Sequence, residues 1–165
     1  MDIGRVFRHL WADSWKLRRA FPKRSLGNIE RAIEEEEQRH GGELRFAVEG
    51  GLPLANLVRG QTPRERAIEL FSALRIWDTG ANCGVLVYVS LGDQDVEIVA
   101  DRGINALVGD AGWQGICDAI RAEFKVGQFE YGVIGGIRAI GKLLTANFPR
   151  RADDVDELPN KPLVI

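Results

Sequence analysis

Cysteine, histidine and methionine are scarce in this chain: its 165 residues include two cysteines, two histidines and one methionine. Cys83 and Cys117 have no paired spacing and no histidine nearby in sequence, which argues against a disulfide framework and a zinc site. With only His9 and His40 present, acid–base chemistry centred on imidazole has few candidates. Neither Cys83 nor Ser90 lies in a recognisable nucleophile motif. We therefore expect no covalent nucleophile, and we expect Cys83 to be a buried thiol.

The chain also lacks a strong net charge and a long apolar run. Its formal net charge is −2, so nucleic acid is not an expected partner. Charged residues interrupt the apolar positions of the N-terminal segment, which therefore lacks the apolar core of a signal peptide, and no later run is long enough to span a bilayer. These absences predict a soluble, cytoplasmic protein.

The pattern of apolar residues predicts an α/β fold. Apolar runs at 84–91 and 96–100 flank a Gly92-Asp93 turn, which is typical of a β-hairpin. A further strand at 44–48 precedes a helix from 63 to about 74, whose start carries a capping box at Thr62 and Glu65. This order predicts that the strands at 44–48 and 85–91 are parallel. Because both faces of the central strand are apolar, we expect a three-layer α/β/α sandwich around a small mixed sheet.

Further helices are predicted at 3–21, 26–39, 113–124 and 130–144. The expected organisation is a basic amphipathic helix in residues 1–24, packed on or beside the domain, then an α/β/α domain at 25–148 and a charged tail at 149–165. Two roles are open for the first helix. It can pack on its own domain through Phe7, Leu10 and Leu17, which we favour, or residues 1–21 can make peripheral contact with an anionic membrane.

Several polar residues are predicted to meet at one end of the sheet. Glu43 begins the first strand, Asp78 precedes the second and Asp101 ends the third, so strand pairing places their backbones together. The candidate binding cleft comprises Glu43, Asp78, Asn82, Asp101, Arg102 and Asp110. Within it, Asp78, Asp101 and Asp110 are the candidate ligands of a hard cation such as Ca²⁺ or Mg²⁺.

Two other interpretations of the same cleft stay open. Arg102 and a helix N-terminus would suit a phosphate group. Alternatively, Asp78 and Asp110 are simply a turn former and a helix cap. Residues 136–143 nearly match a phosphate-binding P-loop, but Leu143 replaces the required Ser or Thr and the apolar spacing is helical. We therefore expect no nucleotide, no zinc and no organic cofactor.

These features together resemble the TPM domain, a family named for a thylakoid lumen protein, a photosystem II protein and a nematode receptor-associated protein. The resemblance covers about residues 25–144. It is carried by Ala67-Ile68-Glu69-Leu70-Phe71, Trp77-Asp78-Thr79, Gly84-Val85-Leu86-Val87-Tyr88-Val89, Val96-Glu97-Ile98-Val99-Ala100-Asp101-Arg102-Gly103-Ile104 and Phe124-Lys125-Val126-Gly127-Gln128-Phe129. The tail's Glu157-Leu158-Pro159 is similar to that of stand-alone bacterial members.

The resemblance implies an α/β/α sandwich with an acidic cleft that binds divalent metal in some members, and an acid phosphatase activity in others. The family's motif positions correspond to Asp78, Asp101, Arg102 and, less closely, Asp110. Cys83-Gly84 stands where the family usually has Asn-Gly, and Phe21-Pro22-Lys23-Arg24-Ser25-Leu26 lacks an acidic motif that many members carry. Two functions follow as expectations: a non-catalytic binding or accessory module for a protein partner, or a metal-assisted phosphatase acting on a small phosphorylated ligand.

Overall fold

The computed structural model describes residues 3–11, 14–154 and 157–165. The helices within these residues are α1 (Ile3–Trp11), α2 (Ser14–Ala20), α3 (Lys23–Glu37), α4 (Leu54–Val58), α5 (Pro63–Ala73), α6 (Arg102–Lys125) and α7 (Phe129–Asn147). The strands are β1 (Leu44–Glu49), β2 (Val85–Ser90), β3 (Asp95–Ala100) and β4 (Leu163–Val164). None of the helices in this described part has both the length and the apolar composition needed to cross a membrane.

The strands form one mixed sheet in the order β3-β2-β1-β4. β1 runs parallel to β2, and β2 pairs with β3 as the predicted antiparallel hairpin. Val85 lies opposite Ala100, so Asp101 falls beside the start of β2. The tail contributes the last strand, β4. β4 pairs parallel with β1, because the backbone N–H and C=O groups of Ile165 bond to Val48 and Gly50 and cover an otherwise open sheet edge.

Helices cover both faces of the sheet, which confirms the predicted α/β/α fold. Side chains such as Phe46, Val87 and Ile98 point into the core that α3, α6 and α7 share. The other face packs on α5 through residues such as Leu86 and Val99. Alternation of side chains along a strand places neighbours on opposite faces, so the central strand needs apolar residues throughout.

A polar network is buried on the α5 side of the sheet. The side chain of Arg66 donates to both carboxylate oxygens of Glu49 at 2.9 Å, and the Tyr88 hydroxyl donates to the same carboxylate at 2.8 Å. The hydrogen bonds from the guanidinium group to Glu49 raise the pKa of Arg66. Burial, followed by the nearby Glu49 charge, raises the pKa of Tyr88. The network ties α5 to the two central strands.

The predicted N-terminal segment contains two described helices. α1 and α2 both lie within the range 3–21, for which one helix was predicted, and residues 12 and 13 lie outside the description. Leu17 is buried as predicted, but Phe7 and Leu10 are 59% and 60% exposed. Their expected role in the core was wrong, because α1 turns Arg5 and His9 toward the domain instead.

Helix α6 begins eleven residues before the predicted start at Trp113, since its first residue is Arg102. Asp101 caps it by accepting a hydrogen bond from the Arg102 N–H at 2.7 Å. The helix is kinked at Gly109, which has a φ of 70° and a ψ of 166°, a conformation that glycine adopts readily. The kink interrupts the regular apolar spacing and hides the first part of the helix in the sequence.

Helices α6 and α7 approach closely at glycine. A Cβ atom at Gly136 would collide with the side chain of Ile120, and one at Gly132 would crowd the Ile120 carbonyl. The segment that resembles a P-loop lies entirely within α7. It therefore has no loop in which backbone N–H groups could surround a phosphate.

Candidate functional site

The end of the sheet where β1 and β2 begin brings together two of the predicted cleft residues. Glu43 directly precedes β1 and Asp101 directly follows β3. The Asp101 N–H donates to the carbonyl of Gly84 at 2.8 Å, which fixes Asp101 against the start of β2. Cys83 directly precedes Gly84, and its thiol donates to the Gly41 carbonyl at 3.4 Å.

The pKa of the Cys83 thiol is affected by the negative charges of this region. The thiol is buried, as predicted. Burial, followed by the negative charges of Glu43, Asp101 and Glu157, raises the pKa of Cys83 to about 11. The thiol is therefore protonated at neutral pH and is a poor nucleophile. Because three carboxylates act on one thiol, we call Glu43, Asp101 and Glu157 the acidic edge.

Asp101 has one carboxylate oxygen without a partner. The residue is only 6% exposed, and its Oδ1 accepts the capping hydrogen bond from Arg102. Its Oδ2 is buried and accepts no hydrogen bond from the described residues. A buried polar atom without a partner is costly. This oxygen is therefore well suited to bind a cation or a hydrogen-bond donor.

Glu43 holds the C-terminal tail against the sheet. Its Oε1 accepts from the backbone N–H of Glu157 at 3.0 Å, and its Oε2 accepts from that of Leu158 at 3.1 Å. The side chain of Glu157 in turn accepts from the Gly80 N–H at 3.2 Å. The tail thus connects β1 with the loop before β2. Glu157 was not among the predicted site residues, although it lies in the acidic tail and in the Glu157-Leu158-Pro159 segment similar to family members.

The other predicted residues are spread around this end of the domain. Asp78 is exposed in a turn, where its N–H donates to the Arg75 carbonyl at 2.9 Å. Asn82 is exposed with a φ of 52°, and its carbonyl accepts from the Gly103 N–H at 3.0 Å. Arg102 is exposed on the first residue of α6.

Asp110 is exposed and directly follows the kink at Gly109. No hydrogen bond links it to Asp78 or Asp101 in the described part of the chain. Nor do the described ranges contain a group of three or more His, Cys, Asp or Glu side chains arranged to hold a metal ion. The predicted ligands Asp78, Asp101 and Asp110 are thus not assembled into one compact cage.

A small polar cavity adjoins the acidic edge. It has a volume of about 250 Å³ and is lined by His40, Gly41, Gly42, Glu43, Arg150, Asp153, Asp154 and Glu157. Burial lowers the pKa of His40 to about 4, so this residue is neutral at neutral pH. The Arg150 guanidinium donates to the Glu37 carbonyl at 2.6 Å. The cavity wall therefore combines several carboxylates with one arginine already directed at the backbone.

The fold and this acidic end define an α/β/α domain with a charged recess at the start of its parallel strands. The family model described as the TPM domain matches residues 18–143. The chain therefore belongs to the TPM domain family, which confirms the resemblance inferred from the sequence.

The solved structures that are similar to this chain include two from bacteria. The NMR structure of the BA42 protein from the psychrophilic bacterium Bizionia argentinensis is 33% identical, with a TM-score of 0.75 over 86% of this chain and 93% of that chain. The N-terminal domain of a protein from P. gingivalis is 14% identical, with a TM-score of 0.56 over 71% of each chain, and it supports the fold alone. No curated protein is a significant match.

Proposed function

We propose that this protein is a non-catalytic binding or accessory module whose acidic edge takes up a divalent cation. The observation that carries the proposal is the buried Oδ2 of Asp101, which accepts no hydrogen bond from the described residues. Carboxylate oxygens are the donors that Ca²⁺ and Mg²⁺ prefer. A bound cation would satisfy the free oxygen and relieve the mutual repulsion of the acidic edge.

The donor atoms fit a weakly bound ion better than a tightly bound one. Asp101 would supply its Oδ2 atom, and Glu157 would supply its Oε2 atom, since its Oε1 accepts from the Gly80 N–H. Glu43 already accepts hydrogen bonds from the tail backbone. Asp78 is exposed and would serve through water. Sites with few charged ligands bind Ca²⁺ with dissociation constants of about 10⁻⁴ to 10⁻³ M. We expect an affinity in that range.

The surroundings of the nucleophilic side chains support binding rather than catalysis. The Cys83 thiol is protonated because its pKa is raised to about 11. The Ser90 hydroxyl donates to the Asp93 carboxylate and accepts from the Asp93 N–H, both at 3.2 Å. His40 is buried and bonds through Nδ1 to Gly42. None of these three groups is activated for attack or available as a general base.

A metal-assisted phosphatase is the second candidate. Arg102 favours it, because an exposed guanidinium at the start of α6, beside the buried Asp101, suits a phosphate dianion. In that case Arg102 would orient the phosphate of a small phosphomonoester, and a bound cation would supply Lewis-acid chemistry.

Calorimetric titration of the full chain with Ca²⁺ and with Mg²⁺ tests the proposal. We expect saturable binding that Asp101→Asn weakens about tenfold or more, because the free oxygen is the central donor. Asp118→Asn is the matched control, since this exposed carboxylate lies elsewhere on α6 and is paired with Arg121. Heats of the variant equal to those of the wild type would contradict the assignment.

A hydrolysis assay with p-nitrophenyl phosphate separates the two candidate functions. If the protein is a binding module, the hydrolysis rate should equal that of buffer containing the same metal ion without protein. Cation-dependent hydrolysis that both Asp101→Asn and Arg102→Gln abolish would instead establish the phosphatase. Thermal unfolding of each variant shows whether the fold is retained.

A further inference from the structure

Helix α1 is attached to the domain by its polar side. Arg5 donates to the Asp93 carboxylate at 2.6 and 3.1 Å, and the His9 Nε2 lies 3.1 Å from the same carboxylate. His9 also accepts the Leu52 N–H through Nδ1 at 2.9 Å. A Cβ atom at Gly92 would collide with the His9 ring. The side of α1 that carries Arg5 and His9 is therefore the side closely packed on the domain.

Several apolar residues of α1 and α2 face outward, although Leu17 is buried. Phe7 and Leu10 are 59% and 60% exposed, and Trp15 of α2 is 64% exposed. An amphipathic surface helix normally buries its apolar side and exposes its polar side. Phe7 and Leu10 depart from this rule, since they are exposed while His9 of the same helix is buried. Exposed apolar patches of this kind mark interaction sites in soluble proteins.

Basic residues accompany these apolar side chains. Lys16, Arg18 and Arg19 of α2 are exposed, and the guanidinium of Arg19 lies 5.4 Å from the centre of the Trp15 ring. Leu10 and Arg18 line the same surface groove, so the exposed sides of the two helices adjoin. The combination of aromatic, aliphatic and cationic side chains on short helices is typical of membrane-surface segments.

Two hollows extend this surface on the two sides of α2. The first, of about 590 Å³, includes Trp15, Lys16, Arg19, Arg121, Lys125 and Phe129. The second, of about 890 Å³, includes Leu10, Leu17, Arg18, Lys23, Leu26 and Val164. No acidic side chain of the described residues lines either hollow. Arg121 is paired with Asp95 and Asp118. The other basic side chains that line the two hollows favour an anionic partner.

We propose that α1 and α2 dock the protein on an anionic phospholipid bilayer. Phe7, Leu10 and Trp15 enter the headgroup region, and Lys16, Arg18 and Arg19 contact lipid phosphates. Because the cations lie on both sides of α2, they suit a broad charged surface better than a single peptide in one groove. This inference does not depend on the cation site, since the residues involved are separate from the acidic edge.

Vesicle flotation of the full chain tests the proposal. We expect the protein to float with vesicles of phosphatidylcholine mixed equally with phosphatidylglycerol, and to remain at the bottom with phosphatidylcholine alone. About 0.5 M NaCl releases it, because salt screens the attraction of surface charges. Binding to both kinds of vesicle alike, or to neither, overturns the proposal.

Two variants and a control locate the contact. Phe7→Ser with Leu10→Ser and Trp15→Ser, and separately Arg18→Gln with Arg19→Gln, are each expected to reduce the partition coefficient by about tenfold or more. Leu107→Ser with Tyr131→Ser is the matched control, because these side chains on α6 and α7 are 59% and 66% exposed. The control should float like the wild type. Unchanged flotation of the triple variant overturns the proposal.

The exposed face of α1 and α2 could instead bind a second copy of the chain. Light scattering after gel filtration tests this alternative. The proposal predicts a monomer at micromolar concentration for both the wild type and the triple variant. A wild-type dimer that the triple variant converts to monomer would assign this face to self-association and contradict lipid docking.

Discussion

The guanidinium group of Arg5 binds the carboxylate of Asp93 through hydrogen bonds of 2.6 and 3.1 Å, although 88 positions separate the two residues in sequence. Burial raises the pKa of Asp93, but the hydrogen bonds and charges of Arg5 and His9 outweigh this effect and hold it below its ordinary value. The pair fixes α1 to the hairpin turn. Phe7 and Leu10 of the same helix face outward.

Replacing Asp93 with Asn should release α1. The change removes the negative charge that Arg5 and His9 contact, and we expect the free energy of unfolding to fall by about 1–3 kcal/mol. The backbone amides of 3–11 should exchange hydrogen faster. The exchange rates of the amides in β1 and β2 should change only as much as the global free energy of unfolding requires. Urea denaturation and hydrogen exchange measure the two effects. Unchanged protection of α1 would show that the helix is held by other contacts.

Replacing Arg66 with Met should strongly destabilise the domain. The substitution leaves the Glu49 carboxylate, which is 1% exposed, with the Tyr88 hydroxyl but without its cation. Removing one partner of a buried ion pair costs about 3–5 kcal/mol.

The double variant Arg66→Met with Glu49→Leu supplies the control for this pair. It removes the buried charge as well and should recover part of the loss. Both variants are compared with wild type by urea denaturation. A cost of Arg66→Met below about 1 kcal/mol, the usual range of an exposed pair, would contradict the assignment.

His40 should make stability depend on pH. Its pKa is lowered from 6.5 to about 4 in the folded chain, chiefly by burial. Between these values the unfolded state binds the additional proton, so stability falls as the pH decreases from about 6.5 to about 4. The loss attributable to this group is at most about 3 kcal/mol. His40→Gln removes the titrating group and should flatten this part of the profile.

Urea denaturation of wild type and His40→Gln at several values from about pH 7 to about pH 4.5 measures that difference. Acidic residues contribute to the profiles of both proteins, so the comparison between the two isolates the histidine. Parallel profiles would show that His40 does not titrate differently in the folded and unfolded states.

Local signals in the sequence were sufficient for much of the fold. The Gly92-Asp93 turn and its flanking apolar runs predict the hairpin, including the position of Asp101. The capping box at Thr62 and Glu65 is present as predicted at the start of α5. These features depend on neighbouring residues, whose chemistry is visible in a short window of sequence.

Features set by distant contacts could not be predicted in this way. The attachment of α1 to the hairpin turn depends on the pairing of Arg5 with Asp93, and β4 depends on the backbone of β1. The early start of α6 was hidden because Gly109 interrupts the helical period.

The candidate site was predictable only in part. The predicted strand pairing places Glu43 and Asp101 at one end of the sheet, where the structure also has them. The sequence did not indicate that Glu43 would hold the tail, or that Glu157 would be brought to the loop at Gly80. Both depend on the path of the tail between 149 and 165. That path follows no local periodicity.

Paramagnetic broadening of amide NMR signals by Mn²⁺ tests the central proposal most directly, because it locates a weakly bound cation. We predict that substoichiometric Mn²⁺ broadens the amides of 79–84, 101–103 and 157–158, that excess Mg²⁺ reverses the effect, and that Asp101→Asn abolishes it. The signals around Asp118 serve as the internal control. Broadening centred away from Asp101, or uniform weak broadening of exposed carboxylates, would contradict a cation site at the acidic edge.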